Sequence, residues 1–268
     1  MQFKNIVLSV NDKVAHVSFN RPDKANALNR LAWNELREVF NHLDKEPVRV
    51  VILKGEGKHF CSGIDLELLA SIFQEPEKDE ARKREQVLQV IKELQDCINA
   101  IEACSKPVIA SVHGACIGGG VDIIAACDLR YGTSESLFSI KEIDVGMVAD
   151  LGTLQRLPKI MPYAHVAELA YTGKTISGHE AATLGLLNDT FADKEDLDTG
   201  VEKLALQMAL KSPLSIRGIK RQLLYARDHS VQDSLTYMQA WNAAFFLSDD
   251  VKESLRAMQE MRPPSYED

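Results

Sequence analysis

The chain has 268 residues, 45% hydrophobic and 26% charged, with 31 basic against 39 acidic side chains for a net charge of −8. That length and composition fit one large or two small globular domains and exclude disorder and collagen-like or low-complexity structure. The acidic balance argues against a surface that coats nucleic acid, and no uncharged apolar run reaches the roughly 18–20 residues that span a bilayer, so neither a nucleic acid nor a membrane is expected as partner.

In chain order, Ala15, Val17 and Phe19 alternate as in a short strand, which Arg21-Pro22-Asp23 ends. Asn29 is a candidate cap for a helix over Arg30–Leu43, whose Ala32, Leu36, Val39, Phe40 and Leu43 share one face. After Pro47, the apolar run 48–53 reads as a strand covered on both sides. A long helix over 77–104 carries Val87, Ile91, Leu94, Ile98 and Ile101, and Pro107 opens the strand Val108–Val112. The charge-rich stretch 74–86 reads as a solvated helix face. A glycine cluster then leads into an apolar helix over 121–127. Farther on, Ser177 to Glu180 has capping-box spacing, and 197–210, 213–227 and 231–247 read as helices. Strand and helix alternate first and helices dominate later, so the expected organisation is an α/β core over residues 1–200 and a helical region over 201–268.

Five cysteines, an odd number with no CxxC spacing, indicate neither a disulfide framework nor a zinc site; they read as reduced, buried thiols. Neither end resembles a targeting segment, which makes the cytoplasm the expected compartment.

Two strand-to-helix turns carry glycine where the backbone can meet a ligand. The first is His59 to Leu66 with Gly63; the second is Gly114 to Asp122 with three consecutive glycines, Gly118 to Gly120. Such turns expose amide N–H groups before the helix uses them. The second lacks both the dinucleotide fingerprint and the phosphate-loop Gly-Lys-Ser/Thr. Two separate turns, each offering an amide, fit a two-donor hole for a developing oxyanion, although Gly63 also reads as a plain connection. No G-x-S-x-G elbow or HExxH pair accompanies them. Carboxylates do. Asp122 falls in the first turn of the second helix, and Glu142 and Asp150 flank an apolar, glycine-containing stretch where a charge is costly unless used or paired. Taken singly, Asp122 also reads as a helix-dipole partner, and Glu142 and Asp150 as surface charges or as caps for a helix near Gly152-Thr153.

Asn20-Arg21-Pro22 through Asn26-Ala27-Leu28, Phe60 to Leu66, Gly118 to Gly120, Cys127-Asp128-Leu129-Arg130 and Thr153 to Pro158 together resemble the crotonase (enoyl-CoA hydratase/isomerase) superfamily over essentially the whole chain. The resemblance implies an α/β fold that spirals through ββα units to a C-terminal helical trimerisation region, assembled as a homotrimer or a hexamer of two trimers. It implies an acyl-CoA thioester substrate, with CoA part of that substrate and no separate cofactor or metal. It places the oxyanion donors at the N–H groups of Ile64 and Gly119, and substrate contacts at Ser62, Gly63, Asp65, Leu66, Gly120, Lys24 and Ala25. The trio Asp122, Glu142 and Asp150 resembles the Δ3,5-Δ2,4-dienoyl-CoA isomerases of this family, whereas hydratases carry glutamate at both positions matching Asp122 and Glu142. Met258 and Met261 stand where relatives often have Phe and Lys, which bears on the CoA nucleotide pocket.

The implied chemistry moves two double bonds into conjugation with the thioester, in the degradation of unsaturated fatty acids. Glu142 is expected to take the C2 proton and Asp150 to deliver one at C6, the reverse assignment being open, with Asp122 tuning the pair. Arg21, Lys24 and Arg262 are candidates for the CoA phosphates. The alternatives are enoyl-CoA hydration by Asp122 and Glu142 about one water, and a non-catalytic acyl-CoA- or RNA-binding role. The three acids, and the scarcity of lysine on the helix Arg30–Leu43, argue against the last.

Overall fold

A computed structural model describes residues 3–73 and 79–268. The chain opens with a hairpin of β1 (Ile6–Asn11) and β2 (Val14–Phe19), turned by Asp12 and Lys13 at φ 46° and 67°. Two consecutive positive φ values match the twist of the flanking strands. Helix α1 (Arg30–Leu43) starts at Asn29, whose side chain accepts from Ala32 N–H at 2.8 Å, and returns the chain to β3 (Val50–Gly55), parallel to β2. Parallel pairing continues through β4 (Val108–Val112), β6 (Leu129–Thr133) and β9 (Asp189–Phe191), for the order β1-β2-β3-β4-β6-β9. A second sheet holds β5 (Ala115–Ile117), β7 (Leu137–Ser139) and β8 (Ile176–Ser177).

The two sheets are filled in turn. After β3, the backbone of Cys61 pairs in a single parallel β-bridge with Cys116 of β5 before α2 (Leu66–Phe73) and α3 (Glu80–Ala103) begin. After β4 comes β5 and then α4 (Gly119–Ala125); after β6 comes β7, followed by α5 (Thr153–Arg156) and α6 (Tyr163–Thr172). Each round is one strand per sheet and then helix, which is the expected ββα spiral. Helix α7 (Gly178–Thr183) starts in a full capping box between Ser177 and Glu180. Four helices end the chain: α8 (Lys194–Ala209), α9 (Pro213–Asp228), α10 (Val231–Phe245) and α11 (Asp249–Gln259).

The period-2 alternation of strands divides the core. Val14, Val50, Ile52 and Ile109 pack against Leu197, Val201, Ala205 and Ala209 of α8, while Val17, Val51, Leu53, Ala110 and Val112 face the larger cluster with Leu36, Val39 and Phe40 of α1. This double covering is why residues 50–53 are apolar without alternation. It also places α8 on the sheet, so the expected division at residue 200 falls inside a core helix and the outlying helices begin at α9. The expected helix 77–104 is described from Glu80; residues 74–78 of the charge-rich stretch lie outside the described residues. The five cysteines are free and buried, and burial pushes the Cys61 and Cys127 thiols up to about 12.

Helix α9 is tied to the core by Lys220, whose Nζ donates to Asp128 Oδ2 at 2.7 Å and to Lys106 O at 3.0 Å. Lys220 is buried and Asp128 partly exposed. Asp128→Ala leaves that ammonium without its counter-ion and is expected to destabilise the fold by about 3–5 kcal/mol in urea unfolding; a loss within experimental error would show the pair to be idle.

Candidate active site

The first turn takes its shape from backbone pairing on both sides. Cys61 N–H donates to Ala115 O and Ile117 N–H to Cys61 O, both at 3.0 Å. Two residues on, the contacts switch: Leu28 N–H donates to Gly63 O at 2.8 Å and Asp65 N–H to Leu28 O at 3.1 Å. Because the Gly63–Ile64 peptide is trans, a carbonyl committed to Leu28 turns the Ile64 N–H the other way. Gly63 has φ +93°, and a Cβ there would lie 2.9 Å from Ile117 O and 3.3 Å from Gly119 N, so glycine is required both for the conformation and for the approach of the two turns.

In the second turn Gly118 N–H is used by Ser139 O at 2.9 Å and Gly118 O by Val121 N–H at 2.7 Å. The same peptide geometry directs the Gly119 N–H outward from the start of α4. Ile64 and Gly119 both line a cavity of about 420 Å³ whose apolar wall comes largely from α3, with Val87, Val90, Ile91 and Leu94, and from Met147 and Leu151. Glu80, Lys83 and Arg84 from the first turns of α3 stand at its rim, and Glu80 and Arg84 stay exposed there, as expected of a solvated face. Glu142 and Asp150 line the same cavity.

Each acid is held differently. Asp122 is 1% exposed, and its Oδ1 accepts from both Thr153 N–H at 2.7 Å and Thr153 Oγ1 at 2.6 Å. It therefore caps α5 from α4, which Asp150 does not do: the cap position, Gly152, has no side-chain bond. Burial pushes the Asp122 carboxyl up to about 6 against those two bonds. Glu142 opens the short 3-10 turn Glu142–Val145; its Oε2 is buried with no hydrogen-bond partner among the described residues, and its Oε1 lies 3.2 Å from where a Gly118 Cβ would be. Burial first, and then the charge of Asp122, raises Glu142 to about 7. Asp150, half-buried in the following loop, is also raised by burial, and its backbone carbonyl accepts from Gln95 Nε2 at 2.6 Å. Two inward amides and two carboxyls of raised pKa on one apolar cavity can stabilise an oxyanion and move protons at two separate points of a bound chain.

Other expected contacts divide. Ser62 N–H donates to Ala25 O at 3.0 Å, which sets Ser62 beside the exposed Lys24 at the shoulder of the first turn, near exposed Leu66 at the start of α2. Asp65 is engaged elsewhere: Arg21 donates to its Oδ2 at 2.9 Å and its Oδ1 caps α2 through Glu67 N–H. The Arg21 bond holds the Asp65 carboxyl below the usual range. Asp65 thus fixes the turn from outside, and Arg21, bonded also to Ala27 O, is not a free cation for a phosphate. Gly120 is a packing residue, since a Cβ on it would come 2.9 Å from Cys61 O. Arg262 is bound by Glu253 and Glu260 at the end of α11. Gln95 and Thr153 carry no signal in the sequence, because their partners lie 55 and 31 residues away.

Comparison with known proteins bears on this site. Residues 9–268 match the family model described as enoyl-CoA hydratase/isomerase. The chain is 48% identical over 261 residues to the peroxisomal Δ3,5-Δ2,4-dienoyl-CoA isomerase of Arabidopsis thaliana, covering 96% of this chain and 94% of that one. It is 43% identical over 257 residues to the mitochondrial Δ3,5-Δ2,4-dienoyl-CoA isomerase of Homo sapiens, covering 95% and 78%. Among solved structures, an enoyl-CoA hydratase from Bacillus anthracis superposes with a TM-score of 0.90 at 28% identity, covering 98% of this chain and 99% of that one. The expectation of a cytoplasmic protein does not stand beside relatives named as peroxisomal and mitochondrial. It rested on the lack of a recognisable targeting segment, which does not specify a compartment.

Proposed function

The chain belongs to the enoyl-CoA hydratase/isomerase family, and from that membership we propose that it is a Δ3,5-Δ2,4-dienoyl-CoA isomerase of unsaturated fatty-acid oxidation, as its named relatives indicate. The observation that carries the reading is the joint presence of Ile64, Gly119, Glu142 and Asp150 on one cavity.

The thioester oxygen lies between the Ile64 and Gly119 N–H groups. Each preorganised donor contributes about 3 kcal/mol to the enolate that forms when C2 loses its proton. Glu142 neighbours the Gly118–Gly119 turn, hence the thioester, and is the base at C2. Charge spreads through the two double bonds to C6, where Asp150 delivers a proton, leaving a 2,4-diene. The enzyme ends the turnover with Glu142 protonated and Asp150 ionised, and exchange with water restores both. The chain's own amides and carboxyls carry every step, and CoA enters and leaves as part of the substrate. Lys24 remains the candidate among the three cations for the CoA phosphates. Exposed Phe246 and Leu247 between α10 and α11, with Leu255 and Met258 on α11, support assembly as a trimer or a dimer of trimers.

Hydration is the weaker reading, because Asp122 commits Oδ1 to two bonds from Thr153 and is poorly placed to share a water with Glu142. Incubation with 3,5-octadienoyl-CoA should generate the ultraviolet absorption of a conjugated 2,4-dienoyl thioester. No such signal, together with fast hydration of crotonyl-CoA, would favour the hydratase.

The reaction needs one carboxylate and one carboxylic acid, so kcat/KM should be bell-shaped in pH. Below the lower of the two pKa values both groups are protonated and no base remains. Above the higher of the two both are ionised and no proton is left to give; Glu142 lies at about 7, and burial raises Asp150 as well. The Asp122 charge helps to hold Glu142 up, so Asp122→Asn should move the limb that reports Glu142 to lower pH. A limb that stays or rises contradicts the coupling.

A further inference from the structure

Asp150 lies between the 3-10 turn Glu142–Val145 and α5, where no helix or strand ladder fixes it. The far end of that stretch is anchored: Thr153 to Asp122, and Gly152 so close over the Arg156 guanidinium that a Cβ on it would collide with Nη1. Arg156 in turn is held by Asn99 at 2.7 Å and Glu102 at 3.2 Å. The Asp150 end has Gln95, whose Nε2 donates to the Asp150 carbonyl. Gln95, Asn99 and Glu102 follow one another along one face of α3, at i, i+4 and i+7.

Behind Asp150, away from the acyl cavity, opens a second cavity of about 330 Å³ with a polar lining that includes Gln95, Asn99, Gln155 and Arg156. Asp150 lines both cavities. Glu142 also lines a second cavity, but there its neighbours are Ile140, Ile143, Val148 and Leu154. The two acids therefore differ in what stands behind them: polar groups open to water for Asp150, apolar side chains for Glu142. Glu142 takes its position from the β7 connection, whereas the Gln95 amide is engaged with the Asp150 carbonyl.

We propose that Gln95 is a positioning residue for the C6 protonation alone, holding Asp150 in the wall between the acyl cavity and the polar cavity that resupplies its proton. This rests on Asp150 as the C6 acid. Gln95→Met keeps the length of the side chain and removes the donor. Since an error of about 1 Å in a reacting group costs up to about 100-fold, kcat should fall about 10- to 100-fold with KM within about twofold. The step that limits turnover should also change. With 2-deuterated substrate the isotope effect should shrink, and in heavy water the solvent effect should grow, because C6 protonation becomes limiting. Gln95→His, which keeps a donor nitrogen at similar reach, should restore both. If the methionine variant does not fold, Gln95→Glu, isosteric and without a donor when ionised, carries the same expectation. An unchanged kcat, or a lower rate with both isotope effects as in the parent, overturns the proposal. Asp150→Asn, assayed alongside, separates the two layers. Full activity there removes the acid assignment and this inference with it; inactivity there beside a normal Gln95→Met removes the inference only.

Discussion

Asp150→Asn should lower the conversion of 3,5-octadienoyl-CoA to the 2,4-diene by about 10²- to 10⁴-fold, the range of a positioned general acid. The substitution keeps the shape of the side chain and the Gln95 bond, which is made to the backbone carbonyl of Asp150. Fold and substrate affinity should therefore be retained and the loss should fall on kcat. The C2 proton is taken by another group, so exchange of C2 hydrogen with solvent should continue in this variant while product fails to form. Any hydration of crotonyl-CoA should likewise be spared. Stopped-flow absorbance and mass analysis of recovered substrate read these quantities. A variant that isomerises at the parent rate, or one that loses C2 exchange as well, would place the acid elsewhere.

Glu142→Gln should be as severe, about 10²- to 10⁴-fold, with the opposite isotopic signature. Removing the base abolishes C2 exchange together with isomerisation. Oε2 of Glu142 is buried without a partner among the described residues, a costly state for a carboxylate that substrate contact would relieve. The uncharged amide costs less there than a carboxylate, so the variant should be at least as stable as the parent while inactive. Retained C2 exchange in Glu142→Gln would show that the base assignment is reversed between the two acids.

Much of this arrangement was legible in the sequence, for definite reasons. The amphipathic stripe of α1 and the doubly covered strand β3 follow from periodicity, and both turns were marked by glycines where the backbone can meet a ligand. The three acids stood out because charge is rare in so apolar a stretch. Other parts left little trace. β1 buries only Ile6 along its length, and β5, β7 and β8 are two or three residues long, too short to show a period. α11 buries only Ala257, which gives its pattern no core to report. The glycine triplet misled at one position: Gly119 lines the cavity and Gly118 faces Glu142, but Gly120 admits Cys61. Asp65 and Arg21 look like ligand groups in one dimension and satisfy each other in three. The supports of the acids, Thr153 for Asp122 and Gln95 for Asp150, depend on pairings across the spiral that no local pattern encodes.

The account stands on where one acyl thioester lies. A crystal structure with bound 2,4-octadienoyl-CoA should place the thioester oxygen about 3 Å from the nitrogens of both Ile64 and Gly119, with the Glu142 carboxyl at C2 and the Asp150 carboxyl at C6. An oxygen held by neither amide, or an Asp150 carboxyl turned away from the diene, would contradict it.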